Sequence, residues 1–318
     1  MRTNDLNILL TGANGFLGYN ILQAIEETDY KVTGVIRREK PQKIIENTFK
    51  GSVDGIQDWT EALANKDVVI HVAGVAHKKN KVGSEALESY RNINFHGTKN
   101  LAVQSAKAGV KRFIFISSIG VNGATSGSPF TEQDEPCPVN EYTRSKYEAE
   151  QALWEIAETT DMEVTIIRPP MIYGQNAPGN FATLVNFVRK GIPLPLGAVD
   201  NKRAFISVDN LVDFILATIS HPRAGNELFL VSDNKDISTT QLLREVGKAM
   251  GKPVRLLPVH KRFLTILAKL SGKQVIAEQL LGDLRVDMSK ATKLMGWLPP
   301  ISVEQGLRRC FITEKRVD

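Results

Sequence analysis

A glycine-rich stretch close to the N-terminus, Thr11–Gly18, constrains the fold more than any other feature of the sequence. It follows the apolar run Ile8–Leu10 and precedes a segment whose apolar residues recur at helical spacing, which predicts a strand, a tight turn and a helix start. Gly12 and Gly15 permit a sharp turn and a close approach to a pyrophosphate, where a Cβ atom would collide. The helix start then offers unpaired N–H groups to the anion. A glycine turn without a ligand is the alternative interpretation.

The rest of the first half of the chain alternates apolar, strand-like runs with helix-like segments. Strands are predicted at Val32–Ile36, Thr48–Val53, Val68–Ala73, Phe113–Ser118 and Val164–Ile167, and helices at Asn94–Ala108 and Glu141–Glu158. This order predicts an α/β fold, a Rossmann-type doubly wound parallel sheet with right-handed crossovers.

The pattern changes at Arg168, beyond which proline and glycine accumulate. The C-terminal part of the chain then predicts a strand at Ala204–Val208, a helix from Leu211, a strand at Asn226–Val231, and a helix with the capping-box residues Ser238 and Gln241. We therefore expect a smaller C-terminal α/β lobe. In this division residues 1–168 form the nucleotide-binding domain, residues 205–232 pack back onto it, and residues 169–204 and 233–318 form the second lobe.

The charge balance suits a small anionic ligand. The chain has 40 basic and 35 acidic residues, a formal net charge of +5 and a pI near 9.1, but no long basic run that would favour nucleic acid. Short basic clusters at residues 37–40 and 78–81 are predicted to be solvated loops. Two cysteines, no signal peptide and no apolar stretch of bilayer length predict a reduced, cytoplasmic protein without stable membrane insertion. No metal site is predicted.

The segment Lys261–Leu281 is basic and amphipathic. Such a segment suits a membrane surface or a partner protein, but a helical region that covers the second lobe is the favoured interpretation. The sequence contains no internal repeat and no low-complexity segment.

Three residues carry candidate chemistry. Tyr142 and Lys146 lie four residues apart on one face of a predicted helix, which places the ammonium beside the phenol. A neighbouring positive charge favours the phenolate and brings a tyrosine closer to the range for proton transfer near neutral pH. Ser118 ends a predicted parallel strand at the edge where α/β sheets bind ligands. The Tyr–Lys spacing alone also occurs by chance on helix surfaces.

Six motifs occur in the order seen in extended short-chain dehydrogenases/reductases. They are the glycine turn, His71-Val72-Ala73-Gly74, Asn94, Ser117-Ser118, Tyr142-x-x-x-Lys146 and Arg168-Pro169-Pro170-x-x-Tyr173-Gly174. The chain resembles most closely the nucleotide-sugar epimerase/dehydratase branch, and the likeness covers nearly its whole length. The resemblance implies that the first domain binds NAD(P) and that the substrate is a UDP-sugar.

The resemblance also implies a role for each site residue. Tyr142 is the acid/base, Lys146 holds the nicotinamide ribose and tunes Tyr142, and Ser118 hydrogen-bonds the reacting oxygen. Asn94, grouped with them, holds a helix kink or a water near the site. The implied cofactor contacts are Gly12, Asn14, Gly15, Phe16, Leu17, Gly18, Arg37, Val53, Ala73, Gly74, Lys146 and Arg168.

In the second lobe the resemblance implies contacts with the sugar nucleotide. Asn180, at a predicted helix start, would meet the diphosphate, and Leu194 and Pro195 belong to a stretch that would lie along the base. Arg203 matches a phosphate-binding arginine, because a guanidinium fork suits phosphate oxygens. Arg285 is either a second such arginine or a surface ion pair.

Two positions select among the reactions of the family. Related 4,6-dehydratases carry an Asp-Glu pair directly after the catalytic serine or threonine; here Ile119 and Gly120 stand there, and neither can move a proton, so dehydration is not expected. Relatives that use NAD end the second strand with an acid for the ribose 2′-hydroxyl. That position is Ile36, followed by Arg37, which can receive a 2′-phosphate. NADP(H) is therefore favoured over NAD(H), with a solvated Arg37 as the competing interpretation.

These choices favour a 4-ketoreductase, with Tyr142 protonating O4. Residues 117–123 and 193–199 resemble a group of bacterial polysaccharide-locus proteins, which implies a UDP-4-keto-6-deoxy-N-acetylhexosamine as the substrate in surface-polysaccharide precursor synthesis. A reversible UDP-hexose 4-epimerase, acting on UDP-glucose or UDP-N-acetylglucosamine with tightly held NAD, is the alternative. A non-catalytic NADP-binding regulator is disfavoured because Ser118, Tyr142 and Lys146 are all present. By resemblance, the helices Asn94–Ala108 and Glu141–Glu158 imply a homodimer.

Overall fold

The computed structural model describes residues 6–37, 47–76, 88–272 and 274–312. Its main element is a seven-stranded parallel sheet in the order β3-β2-β1-β4-β5-β6-β9. The strands are β1 (Asn7–Thr11), β2 (Lys31–Ile36), β3 (Asn47–Lys50), β4 (Val68–His71), β5 (Arg112–Ile116), β6 (Glu163–Arg168) and β9 (Glu227–Leu230). The predicted doubly wound parallel sheet is thereby confirmed.

Helices cover both faces of the sheet. They are α1 (Phe16–Ile25), α2 (Thr60–Leu63), α3 (Thr98–Lys107), α4 (Glu141–Thr159), α5 (Asn180–Arg189), α6 (Val208–Ser220), α7 (Thr239–Ala249), α8 (Lys261–Leu270), α9 (Gln274–Leu281), α10 (Ser289–Met295) and α11 (Val303–Arg309). One core cluster packs α1 and α6 on one face of the sheet, and a second packs α3 and α4 on the other. Strands buried on both faces explain the continuous apolar runs in the sequence.

The sheet reverses its direction of growth between β1 and β4. The chain builds outward from β1 through β2 to β3, and then crosses back to place β4 on the other side of β1. At such a switch point the loops after the two strands diverge and leave a crevice at the carboxyl edge of the sheet. The glycine turn follows β1 and therefore lies at this crevice.

The second lobe has a core of its own. Strands β7 (Met171–Tyr173) and β8 (Phe205–Ser207) form a two-stranded parallel sheet, and α5, α7 and α11 pack apolar side chains against it. Of the stretch 205–232, only β9 joins the large sheet, beside β6, while α6 packs against α1. The chain thus leaves the first lobe after β6 and returns to it with α6 and β9.

Two predicted helices differ from the observed ones. The helix expected from Asn94 begins earlier, as a π-helix over Arg91–Gly97 that continues into α3. The helical region expected over Lys261–Leu281 is divided into α8 and α9, because the chain turns at Gly272, whose φ is +67°. Among the described residues, no helix combines the length and apolarity needed to cross a bilayer. Apart from Arg37, the two short basic clusters lie outside the described residues.

Candidate active site

The glycine turn is built so that only backbone occupies its inner side. Gly12 has a φ of +71°, and a Cβ there would lie 2.9 Å from the backbone nitrogen of Ala73. A Cβ on Gly18 would lie 2.2 Å from the carbonyl oxygen of Gly12. Helix α1 begins directly after Gly15, and the N–H groups of its first turn have no partner within the helix.

The other predicted residues of the turn divide into surface and core. Gly15 is exposed, Asn14 and Phe16 are half-buried, and Leu17 is a core residue, so Leu17 can contribute only its backbone to a ligand. Phe16 packs against apolar residues of both lobes. The turn therefore lies where the two lobes meet.

A buried hydrogen-bonded chain links the end of β1 to the π-helix through His71. The hydroxyl of Thr98 donates to the carbonyl of Asn94 (2.7 Å), so it accepts from Nε2 of His71 at 2.9 Å. Nδ1 of His71 then accepts from the hydroxyl of Thr11 at 2.6 Å. Burial lowers the pKa of His71 to about 3, and the nearby Lys146 charge acts in the same direction. His71 is therefore neutral at physiological pH.

Asn94 ties the loop after β4 to the helix that carries the tyrosine. Its amide exchanges two hydrogen bonds with the backbone of Val75 (2.9 and 3.1 Å) and donates to the hydroxyl of Ser145 (3.0 Å). Ser145 in turn donates to the carbonyl of Tyr142 at 2.7 Å. Since these bonds occupy both amide hydrogens, Asn94 is a positioning residue. The predicted role of Asn94 in holding a helix kink fits its place in the π-helix, and its grouping with the catalytic residues stays a prediction.

A capping box fixes the start of α4 and places Tyr142 in the first turn. Asn140 accepts from the backbone N–H of Thr143 (2.9 Å), and the hydroxyl of Thr143 accepts from the backbone of Asn140 (3.2 Å). Ser118 caps a short 3₁₀ turn, Ile119–Val121, directly after β5. Burial raises the pKa of Tyr142 to about 12, against a hydrogen bond with the Ser118 side chain that lowers it.

Lys146 is buried below Tyr142 on the same helix. Its Nζ lies 4.0 Å from the ring centroid of Phe115 in β5. It also faces the loop after β4, since a Cβ on Gly74 would lie 3.8 Å from it. Burial lowers the pKa of Lys146 to about 7, while the carboxylate of Glu150 one turn further opposes the shift. The predicted group of Ser118, Tyr142 and Lys146 is therefore brought together at the carboxyl edge of the sheet.

Arg168 is an internal residue, which corrects its prediction as a cofactor contact. Its guanidinium makes a two-pronged ion pair with Glu150, with Nε 2.9 Å from Oε1, and donates to the side chain of Asn122 at 2.9 Å. Arg168 is 3% exposed and Glu150 1%, so neither charge is open to a ligand. The pair joins α4 to the end of β6.

Two of the predicted cofactor contacts, Arg37 and Val53, lie just beyond the carboxyl ends of β2 and β3. Arg37 is exposed directly after β2, and Ile36 before it is half-buried. Val53 is buried in the core, and it lies so close to the π-helix that a Cβ on Gly97 would be 2.7 Å from its side chain. Neither Ile36 nor Val53 offers a hydrogen-bonding side chain to a ribose.

Two of the residues predicted in the second lobe are surface residues and one is a core residue. Asn180 is exposed and is the first residue of α5, after Gly179 with a φ of +73°. Pro195 is exposed. Leu194 is 8% exposed, and both of its backbone polar groups are bonded to the segment that contains Arg255 and Leu257. The contact of Leu194 with a nucleotide base therefore stays a prediction, with only a small part of the side chain open to a ligand.

The two predicted phosphate-binding arginines differ in how much of the guanidinium is already bonded to other protein groups. Arg203 is half-buried, and one N–H of its guanidinium donates to the carbonyl of Gly282 at 2.9 Å. Burial lowers its pKa to about 10, which leaves it charged at neutral pH. Arg285 forms an ion pair with Asp236, with Nε 3.0 Å from Oδ2. Of the two interpretations of Arg285, a phosphate contact or an ion pair, the structure shows the ion pair.

Sequence reasoning missed the polar residues that hold the site together. Four of them are buried: Thr11, Thr98, Ser145 and Glu150. Thr11 is hydrogen-bonded to His71, Thr98 and Ser145 are hydrogen-bonded to Asn94, and Glu150 is hydrogen-bonded to Arg168. The signal was available for His71 and Glu150, since a histidine in an apolar strand or a glutamate facing a core requires a polar partner. The identity of the partners could not be read from spacing.

These features fit a dinucleotide. The glycine turn leaves room for backbone alone on its inner side and presents a helix N-terminus, which suits a pyrophosphate. The ammonium of Lys146 and the phenol of Tyr142 lie at the same edge of the sheet. Such a sheet, with this turn at its switch point and a Ser–Tyr–Lys group beside it, defines an extended short-chain dehydrogenase/reductase.

Proteins of similar sequence identify the family within this class. Residues 8–232 match the NAD dependent epimerase/dehydratase family. The chain is 42% identical over 309 residues to a UDP-glucose 4-epimerase of Vibrio cholerae, covering 95% of this chain and 94% of that protein. It is 31% identical to an N-acetyl-alpha-D-glucosaminyl-diphospho-ditrans,octacis-undecaprenol 4-epimerase of Escherichia coli O157:H7, covering 99% and 98%. The chain belongs to the NAD dependent epimerase/dehydratase family, and it is an enzyme of that family.

Solved structures share the fold at lower identity. A UDP-glucose 4-epimerase of Thermotoga maritima with UDP-glucose superposes with a TM-score of 0.77 at 23% identity, covering 96% of this chain and 97% of that one. A UDP-glucuronic acid 4-epimerase of Bacillus cereus in complex with NAD gives a TM-score of 0.78 at 20% identity, covering the same shares.

Proposed function

We propose that the protein is a UDP-hexose 4-epimerase that acts at C4 of UDP-glucose or UDP-N-acetylglucosamine. The observation that carries the proposal is the hydrogen-bonded contact of Ser118 with Tyr142 above the buried Lys146, at the edge where the glycine turn lies. The sequence relative at 42% identity carries the same activity in its name.

In this proposal the residues divide the work. A bound nicotinamide cofactor would supply the hydride chemistry at C4. Tyr142 takes the proton of the O4 hydroxyl and gives it back, Ser118 hydrogen-bonds O4 and holds it against Tyr142, and Lys146 supplies positive charge that favours the phenolate. The glycine turn would hold the pyrophosphate, and Lys146 also the nicotinamide ribose. Asn94 and Ser145 fix the position of α4 and so of Tyr142.

Dehydration is disfavoured by the residues after Ser118. Ile119 is 5% exposed and packs against Leu230 and Leu284. Gly120 has no side chain, and a Cβ there would lie 2.6 Å from the side chain of Thr143. Neither position offers an acid or base for elimination.

A second candidate is the 4-ketoreductase of a UDP-4-keto-6-deoxy-N-acetylhexosamine. The observation that favours it is Arg37, exposed at the end of β2 where a 2′-phosphate would lie, with the apolar Ile36 before it. A reductase consumes its cofactor and gains from an NADPH supply, whereas an epimerase regenerates its own. In both candidates Tyr142 moves the proton of O4.

Assays of the purified protein separate the two. As an epimerase, it carries NAD through purification and interconverts UDP-glucose with UDP-galactose, or the corresponding N-acetyl sugars, without added nicotinamide. As a reductase, it oxidises one NADPH per 4-keto sugar. Failure to interconvert any UDP-hexose after loading with NAD would overturn the epimerase, and NADPH oxidation by the 4-keto sugar would put the reductase in its place.

Cofactor titration tests the role of Arg37. The reductase candidate predicts that NADPH binds at least about tenfold more tightly than NADH, since a charge-assisted hydrogen bond contributes about 1.5–3 kcal/mol. Arg37→Ala should then remove most of the difference, while Arg223→Ala, at another exposed arginine, should leave it unchanged. Equal affinities in the wild type would show that Arg37 is merely solvated. Fluorescence quenching measures all of these affinities.

A further inference from the structure

The helix α8 turns an apolar face towards solvent. Phe263, Ile266, Leu267 and Leu270 are 69%, 58%, 65% and 81% exposed, and none of the ten residues of the helix is buried. Their spacing of three, four and seven residues places them on one face. Leu264 lies on another side and packs partly against the core of the second lobe. The helix thus covers the lobe, as expected, but leaves a second apolar face without a partner in the described part of the chain.

The segment around this helix also carries the excess charge of the protein. Residues 251–272, bounded by Gly251 and Gly272 with φ of +63° and +67°, contain five lysines and arginines and no aspartate or glutamate. The rest of the chain therefore has equal numbers of basic and acidic residues, since the net charge of the whole is +5. Arg262 and Lys269 are exposed and lie along one flank of the apolar face, by helical spacing.

The segment is also attached to the candidate substrate lobe. The backbone of Leu257 pairs with that of Leu194, and Ala198 pairs with His260, the residue that caps α8. Leu257 is itself 51% exposed, and Ile192, two residues before Leu194, is 41% exposed. The backbone pairing therefore holds the start of α8 at a fixed place on the second lobe.

We propose that α8 is a peripheral docking surface for an anionic lipid bilayer. An apolar face of Phe, Ile and Leu with basic residues along its edge is the pattern of a helix that lies in the interface plane of a membrane. A helix of ten residues spans about 15 Å, enough for shallow insertion but not for crossing. Basic side chains beside the face attract anionic headgroups.

A second copy of the chain fits the apolar face of α8 less well than a bilayer does. Two such faces meeting each other would bring like charges together, because both would carry Arg262 and Lys269 and neither would carry an acid. An anionic bilayer complements both the apolar face and the charge. The docking surface is independent of the reaction proposed above.

Vesicle co-sedimentation of the full-length protein tests the proposal. The wild type should sediment with vesicles of phosphatidylcholine and phosphatidylglycerol, bind vesicles of phosphatidylcholine alone at least about tenfold more weakly, and be released by salt. Phe263→Ser/Leu267→Ser should weaken binding to the anionic vesicles by about tenfold or more. Leu298→Ser is the matched control, since Leu298 is 57% exposed but lies elsewhere, and should bind as the wild type does.

Charge variants separate the two contributions. Arg262→Glu/Lys269→Glu should lose the preference for anionic vesicles, while Arg223→Glu/Arg308→Glu, which changes the net charge equally at exposed sites elsewhere, should keep it. All of these variants should retain the cofactor affinity of the wild type, so a failure of the proposed function and a failure of docking give different results. Equal binding to neutral and anionic vesicles would overturn the proposal. So would a wild type that ignores vesicles and instead forms oligomers that Phe263→Ser/Leu267→Ser dissociates.

Discussion

At the scale of single residues, burial moves the two titratable groups of the site in opposite directions and both towards the uncharged form. It raises the pKa of Tyr142 to about 12 and lowers that of Lys146 to about 7. The four-residue spacing predicts an ammonium that stabilises a phenolate, but desolvation is the larger influence on the pKa of Tyr142. The negative charges of a bound dinucleotide would favour the protonated Lys146.

The pKa of Lys146 makes stability depend on pH. An unfolded lysine keeps its proton up to about its ordinary pKa of 10.5, whereas the buried one releases it near 7, so the unfolded state binds more protons in this window. The free energy of unfolding of the wild type should therefore rise with pH from about 7 to 9, relative to Lys146→Met, by at most about 1.4 kcal/mol per unit. Urea unfolding at several pH values measures this, and an identical pH dependence of the two proteins would contradict it.

Replacing the phenol tests the acid/base role directly. Tyr142→Phe should lower turnover by about a hundredfold or more, because it removes the group that exchanges the proton with O4. Binding of the nicotinamide cofactor and of UDP should change little, since the ring and its packing are kept. Tyr147→Phe, five residues further along α4, is the control and should retain activity. Near-wild-type turnover of Tyr142→Phe in steady-state assays would exclude the mechanism.

At the scale of elements, the strands could be predicted and the details of helix α3 could not. Val68–His71 and Arg112–Ile116 are buried throughout, so the first reads as a continuous apolar run and the second as one after its initial arginine. The π-helix before α3 has no such signature. It depends on the side chain of Asn94, whose partners Val75 and Ser145 lie 19 and 51 residues away in the sequence.

In the candidate site, too, local patterns could be predicted from the sequence and contacts between distant residues could not. The glycine turn and the Tyr142–Lys146 spacing are local patterns, so the sequence could identify them. Arg168 was predicted as a cofactor contact from the resemblance. Its ion-pair partner, Glu150, belongs to another element, and no spacing in the sequence reveals an ion pair of that kind. Leu194 was predicted from likeness alone, and only the fold shows that its side chain faces the core.

The Glu150–Arg168 pair should be costly to break from one side. Glu150→Gln or Arg168→Met leaves an uncompensated buried charge, and we expect a loss of about 3–5 kcal/mol in the free energy of unfolding. The double variant Glu150→Gln/Arg168→Met should lose less than either, since both charges are gone. Urea denaturation of the four proteins forms a double-mutant cycle. If each single variant lost less than about 1 kcal/mol in the free energy of unfolding, the pair would contribute no more than an exposed ion pair does, and the expectation would be contradicted.

At the scale of the whole molecule, we expect a homodimer formed through α3 and α4. The two helices pack against each other, and Arg91 of the π-helix before α3 forms an ion pair with Glu148 of α4, with Nε 2.8 Å from Oε2. Beside them Ile56 is 94% exposed in a groove that Val103 also lines. Light scattering at micromolar concentration should give the mass of two chains, and Ile56→Glu should shift it towards one chain while Leu298→Glu should not. A monomeric wild type would rule this out.

The return of the chain to the large sheet at β9 has a consequence for how the protein is made. On the ribosome, β6 has no neighbour on its outer side until Glu227–Leu230 emerges, so the nascent chain carries an open sheet edge while residues 169–226 are translated. At about 5–20 residues per second, this interval lasts several seconds. A recombinant fragment that stops at Arg168 would keep that edge permanently. The large sheet is therefore complete only after the second part of the chain has been made, and the first lobe cannot be produced intact as an N-terminal fragment.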